Sequence, residues 1–138
     1  MKKTVFVFLL IAVLTGCNQS ANKADNSATT TPAEDATLVS VYYFHGKQRC
    51  KTCIAVGNIA QETVEKAYAD NSKVVFTEIK TDEKANIGLV EKYQVTWNAL
   101  IIAKGEDFID LTEQAFAIAL SSPDALTNLI NEEVNKRL

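Results

Sequence analysis

Two cysteines three residues apart, Cys50 and Cys53, stand in the run His45-Gly46-Lys47-Gln48-Arg49-Cys50-Lys51-Thr52-Cys53, directly after the apolar stretch Val39 to Phe44. At that spacing two sulfurs form and break one disulfide at low cost, which is what thiol–disulfide exchange requires. Gly46 separates the apolar run from an amphipathic pattern, so the pair falls at a strand end and a helix start. Cys53 shares helical phase with Val56, Gly57, Ala60, Val64, Ala67 and Tyr68, which predicts a sulfur pointing inward. Cys50 falls at the helix start, where the positive end of the helix dipole and unpaired N–H groups favour a thiolate. Lys47, Arg49 and Lys51 flank it, and no acidic residue occurs between Asp35 and Glu62. The pattern predicts unequal work: Cys50 as the attacking thiolate, with a pKa below the roughly 8.5 of free cysteine, and Cys53 as the resolving thiol.

Other uses of the pair stay open. A structural bridge is one, although closing so short a loop restrains the unfolded chain by only about 2 kcal/mol, against about 4.7 kcal/mol for a 100-residue loop. Metal binding is another. Structural zinc takes four protein ligands, and the domain offers Cys50, Cys53 and His45, so a two-thiolate copper(I) site is the better metal expectation. His45, the only histidine, either tunes the thiols and relays protons or ends the strand with its ring in solvent. Trp97, with Asn98 and Ala99, precedes the third apolar run and is a candidate for client contact, packing being the ordinary fate of a tryptophan. No cofactor is expected: no Gly-rich fingerprint follows a strand.

The elements that must hold these residues follow from the patterning. Leu38 to Phe44 is β-branched and aromatic, as a buried strand is. A helix from Cys53 ends at Asp70-Asn71-Ser72, with Asn58, Gln61, Glu62, Glu65 and Lys66 on its outer face. Lys73 to Ile79 is a second strand. Asp82 to Tyr93 is a second helix with Ile87, Leu89, Val90 and Tyr93 inward. Ala99 to Ala103 is a third strand, and Phe108 to Leu111 a fourth after a turn at Gly105. Glu113 to Leu120 adds one or two helical turns. The last helix starts at Ser122-Pro123-Asp124, a capping residue before proline at the first helical position, and buries Leu126, Leu129, Ile130, Val134 and Leu138. The order β-α-β-α-β-β-α predicts an α/β fold in which strand–helix–strand crossovers make neighbouring strands parallel and the turn at Gly105 makes the last pair antiparallel.

The amino terminus carries Lys2 and Lys3 and then the apolar run Val5 to Leu14, too short for a comfortable permanent span and consistent with a secretory signal. It ends in Leu14-Thr15-Gly16-Cys17, which resembles a bacterial lipobox. The resemblance implies cleavage before Cys17, lipidation there, and anchoring by several acyl chains, since one chain holds weakly. A simple cleaved signal with a stray cysteine is the plainer alternative. Disulfides persist in such a compartment. The expected organisation is a signal peptide over 1–16, a lipidated flexible tether over 17–36 that is poor in core-forming residues, and one domain over 37–138. Loss of Lys2 and Lys3 leaves 12 of the 14 basic side chains against 17 acidic ones, a formal charge of −5, with no broad electrostatic case for nucleic acid.

The element order, with the cysteine pair opening the first helix, resembles the thioredoxin fold over Leu38 to Leu138. The resemblance implies a four-stranded mixed sheet in the order 2-1-3-4, flanked by helices, with the pair at the carboxyl edge of the first strand. It also has departures. The extra amino-terminal strand and helix of full thioredoxins have no counterpart. No proline lies between Pro32 and Pro123, so Ala99, preceded by Asn98, stands where thioredoxins carry the cis-proline that positions client peptide and keeps metals off the thiols. A cis peptide there would cost about 2.5–4 kcal/mol, which predicts trans. Lys51-Thr52 replace Gly-Pro between the cysteines, and Phe44 falls at the place of the buried acid.

Tyr42-Tyr43-Phe44-His45-Gly46, followed by Arg49-Cys50-Lys51-Thr52-Cys53, resembles a narrower group, the thioredoxin-like bacterial lipoproteins of the nitrophenyl compound nitroreductase subunit (ArsF) family. That implies a place beside a nitro-reduction or arsenical-resistance system, as an electron-relay subunit because the chain has no flavin or nicotinamide site. The expected protein is a monomeric, membrane-tethered thiol–disulfide oxidoreductase acting on client protein thiols or disulfides. A reductant would need a membrane electron-transfer partner. Its expected place is the bacterial cell envelope, facing the periplasm, and Asn18 gives no retention cue against the outer membrane. The competing expectations are a copper(I)- or arsenite-binding lipoprotein using the same two thiolates, and a non-catalytic adaptor.

Overall fold

The computed structural model describes residues 35–138; the predicted signal, Cys17 and almost all of the tether lie outside them. The first apolar run forms β1 (Val39–His45), with six of its seven residues buried. Burial on both faces follows from its place in the centre of a four-stranded sheet of order β2-β1-β3-β4, as predicted. β2 is Val74–Lys80, β3 is Ala99–Lys104 and β4 is Asp107–Asp110. The helices are α1 (Lys51–Ala67), α2 (Ile87–Lys92), α3 (Thr112–Ile118) and α4 (Pro123–Asn135).

β1 and β2 run parallel, as a crossover through α1 requires. β1 and β3 do not: they are antiparallel, with Phe44 opposite Ala99 and Ser40 opposite Ala103. The parallel expectation fails here for a simple reason. β2 ends level with the end of β1, where Lys80 faces His45, and β3 begins at that same end. The segment between them never travels the length of the sheet, so β3 must run back. The turn to β4 is antiparallel as predicted, and Gly105 supplies its positive φ of 59°.

The sheet has a thick face and a thin one. On the thick face Val39, Val41, Tyr43, Leu100 and Ile102 pack under α1, α3 and α4, with Val56, Ala60, Ala115, Leu126, Ile130 and Val134. On the thin face Tyr42, Phe44, Ile101 and Ala103 are covered by Leu89 and Tyr93 from the α2 region. The predicted second helix is shorter than its pattern: a 3₁₀ turn over Lys84–Asn86 precedes the six residues of α2, and Ile87 is exposed rather than inward. Ala67 and Leu138, also expected inward, are exposed: Ala67 is the last residue of α1, and Leu138 lies beyond the end of α4. Leu129 is half-buried. Pro123 takes the first helical position, but the Ser122 side chain makes no capping hydrogen bond.

Candidate functional site

The cysteine pair sits just past the carboxyl end of β1, at the start of α1. Cys50 is the residue that caps α1: its backbone is extended (φ −75°, ψ 169°) and its sulfur accepts from the Cys53 N–H at 3.1 Å. An orphan amide of the first turn is thereby aimed at sulfur, an arrangement that favours negative charge there. Cys50 and Cys53 are joined in a disulfide with Cα atoms 5.0 Å apart. The two ends differ sharply in access, since Cys50 is exposed and Cys53 is 4% exposed. The helical phase that put Cys53 inward is the cause.

Behind the pair, Tyr43 comes up from β1 and donates its hydroxyl to the Cys53 carbonyl at 2.6 Å. Burial holds its pKa above the usual tyrosine value, with nearby Arg49 acting in the opposite sense, so the hydroxyl stays a donor. Its ring lies against α1 at Gly57. A Cβ at position 57 would meet the Tyr43 ring at 2.7 Å and Arg49 Nη2 at 2.7 Å, so only glycine admits both. Arg49, the residue before Cys50, is therefore folded back against the Tyr43 ring and Gly57. Its guanidinium carbon lies 5.2 Å from the Tyr43 ring centroid, and its Nη1 donates to Glu78 Oε1 at 2.8 Å.

His45 completes this cluster. It is 6% exposed, which excludes the solvent-facing alternative. Its ring stacks on Tyr43 with centroids 5.6 Å apart. Nδ1 donates to the Gly46 carbonyl at 2.8 Å, and Nε2 lies 3.0 Å from the same Glu78 Oε1, outside hydrogen-bond alignment. Glu78 is thus a functional candidate that the sequence pattern missed. It lies 28 residues from Cys50, and only the strand register, with Tyr43 opposite Glu78, brings it to the site.

The remaining candidates are less concentrated than their spacing implied. Lys47 is exposed and pairs with Asp82 at 3.4 Å, so the acid-free stretch acquires acids from β2 and the turn after it. Lys51 is exposed on the first turn of α1. Trp97 is 80% exposed, and Ala99 is buried opposite Phe44, so the Trp97–Ala99 segment lies at the same end of the sheet as the pair. The Asn98–Ala99 peptide is trans, as predicted. Asn98 Oδ1 is buried there without a hydrogen-bond partner. Among the described residues no three His, Cys, Asp or Glu side chains are gathered to hold a metal.

Comparison with known proteins bears on the other end of the chain. No curated protein matches it. The model of the prokaryotic membrane lipoprotein lipid attachment site matches residues 1–18, a stretch that contains Cys17. The chain thus carries the attachment signal of a bacterial envelope lipoprotein, anchored to the membrane through a lipidated cysteine.

Proposed function

We propose that this protein is a membrane-tethered thiol–disulfide oxidoreductase of the bacterial cell envelope, facing the periplasm, that exchanges disulfides with a client protein through Cys50 and Cys53. One observation carries the reading: an exposed sulfur at the start of α1 is bridged to a buried one a single turn on. In the reducing direction the Cys50 thiolate attacks a client disulfide, a new S–S bond forms, and the client's other sulfur leaves as a thiolate and takes a proton. Cys53, deprotonated, attacks the Cys50 sulfur and expels the second client thiol. The two electrons of the dithiol pass to the client, and the Cys50–Cys53 bridge is regenerated. The oxidising direction runs the same steps backwards. The resemblance of the Tyr42–Cys53 region to the nitrophenyl compound nitroreductase subunit family favours a narrower role, relaying electrons to a partner of a nitro-reduction or arsenical-resistance system.

A glutathione redox series tests the reading. A potential between about −230 and −120 mV marks an exchanger, and one near −300 mV or lower marks a bridge that is never turned over. In cells, Cys53→Ala is expected to trap clients as mixed disulfides through Cys50. Failure to trap any client, together with tight copper(I) or arsenite binding by the reduced wild type, would assign the two thiolates to ligand binding instead.

A further inference from the structure

Glu78 Oε1 is shared by two side chains of the exchange region, Arg49 Nη1 at 2.8 Å and His45 Nε2 at 3.0 Å. We propose that Glu78 is a positioning residue that sets the reactivity of Cys50: its carboxylate offsets the positive charge of Arg49, and of His45 when protonated, and so limits how far the Cys50 thiolate is favoured. The inference rests on the oxidoreductase reading above.

The geometry separates the charge of Glu78 from its packing. Arg49 is held in place without it, wedged between the Tyr43 ring and the Gly57 backbone. Replacing Glu78 by Gln keeps an oxygen for Nη1 to donate to and removes only the negative charge. The other charged groups nearby are placed apart from this pair. Lys47 is engaged with Asp82, Lys51 stands exposed on α1, and Tyr43 is kept neutral by burial. Arg49 is covered enough, at 25% side-chain exposure, for its charge to be less screened than that of a free surface arginine.

The test uses the reduced mature domain with its tether and reads the pH profile of Cys50 alkylation by iodoacetamide, alongside the glutathione equilibrium. Glu78→Gln is expected to move the profile to lower pH and to shift the equilibrium toward the reduced protein by about threefold or more; tenfold corresponds to about 30 mV. Glu78→Asp, which keeps the charge, is expected to follow the wild type. So is Glu62→Gln, which removes the same charge from the outer face of α1, where Glu62 pairs with Lys66. Arg49→Gln supplies the converse and is expected to move the profile to higher pH. An unmoved or raised profile in Glu78→Gln overturns the proposal, as does an unmoved or lowered one in Arg49→Gln. A wild type that does not equilibrate with glutathione overturns the oxidoreductase reading instead, while the alkylation profiles still decide the part played by Glu78.

Discussion

Two carboxylates in this domain each face two basic side chains, and they differ in almost everything else. Glu133 lies within α4, 9% exposed in its side chain. It pairs with Lys136 at 2.7 Å and with Arg137 at 2.9 Å, three and four residues on. Arg137 is itself 8% exposed and reaches Asp107 of β4 at 3.2 Å, while Lys104 of β3 donates to the Arg137 carbonyl at 2.7 Å. This cluster ties the end of the last helix to the β3–β4 hairpin. Glu78 is 43% exposed, and its partners lie 29 and 33 residues away. The first cluster is built round a buried Glu133–Arg137 pair four residues apart, and belongs to stability. The second is half-wet and non-local, and touches Arg49, the residue before Cys50. A carboxylate between two basic side chains is therefore no sign of function by itself; what it adjoins and how much water reaches it decide.

The largest effect expected from breaking that contrast is at Glu133. Glu133→Ala leaves the buried guanidinium of Arg137 with Asp107 as its remaining acid, and removing one partner of a buried pair costs about 3 kcal/mol. The loss is read as a lowered urea midpoint, with Cys50 alkylation unchanged. The pH dependence follows from the depressed pKa of Glu133, caused first by the hydrogen bond from Lys136 and opposed by burial. A carboxyl with a lowered folded-state pKa stabilises the fold above its unfolded value, and that contribution is lost as pH falls through the folded one. The gap in midpoint between wild type and Glu133→Gln is therefore expected to be full at neutral pH and to close below the ordinary carboxylate range. A gap that widens toward acid would refute the assignment.

Gly57→Ala comes next and strikes the other cluster through packing. The added methyl meets the Tyr43 ring and Arg49 Nη2 at distances no real contact tolerates. Overpacking of this kind costs about 1–3 kcal/mol. Unlike Glu133→Ala, it is expected to disturb the Cys50 alkylation profile as well, because the side chains that must move are those behind the pair. Loss of stability with an unaltered profile would show that Arg49 can leave its wedge without consequence for Cys50.

The same contrast explains what the sequence made legible. Strand and helix identities follow from periodicity, and the helical phase of Cys53 with Val56, Gly57 and Ala60 predicted the unequal exposure of the two sulfurs, because burial of one helix face is a local property. The sheet order followed from resemblance, whereas the direction of β3 against β1 was misjudged, because it depends on where the β2–β3 connection leaves the sheet. The basic run around Cys50 was visible as a list of residues. Its neighbouring acids, Glu78 and Asp82, were not, since β2 and the turn after it, and not sequence distance, deliver them. Thr63 and Glu133 are buried although their types argue for the surface. Each has a partner that explains it: Thr63 donates back to the Ile59 carbonyl at 2.7 Å, and Glu133 has its two cations.

The smallest expected effect on stability is the one that separates the two carboxylates most cleanly. Glu78→Gln removes an ion pair that water reaches, and exposed pairs of this kind contribute under about 1 kcal/mol. Because mobile ions screen such a pair, the small deficit is expected to shrink between low and high salt, whereas that of Glu133→Ala, which breaks the buried pair with Arg137, is expected to persist. Urea midpoints of both variants at two ionic strengths measure this. If Glu78→Gln costs as much as Glu133→Ala and ignores salt, then Glu78 is a structural tie like its counterpart, and any change in Cys50 reactivity follows from a loosened fold. If it costs little and fades with salt while the alkylation profile still moves, its charge acts on the sulfur and not on the fold.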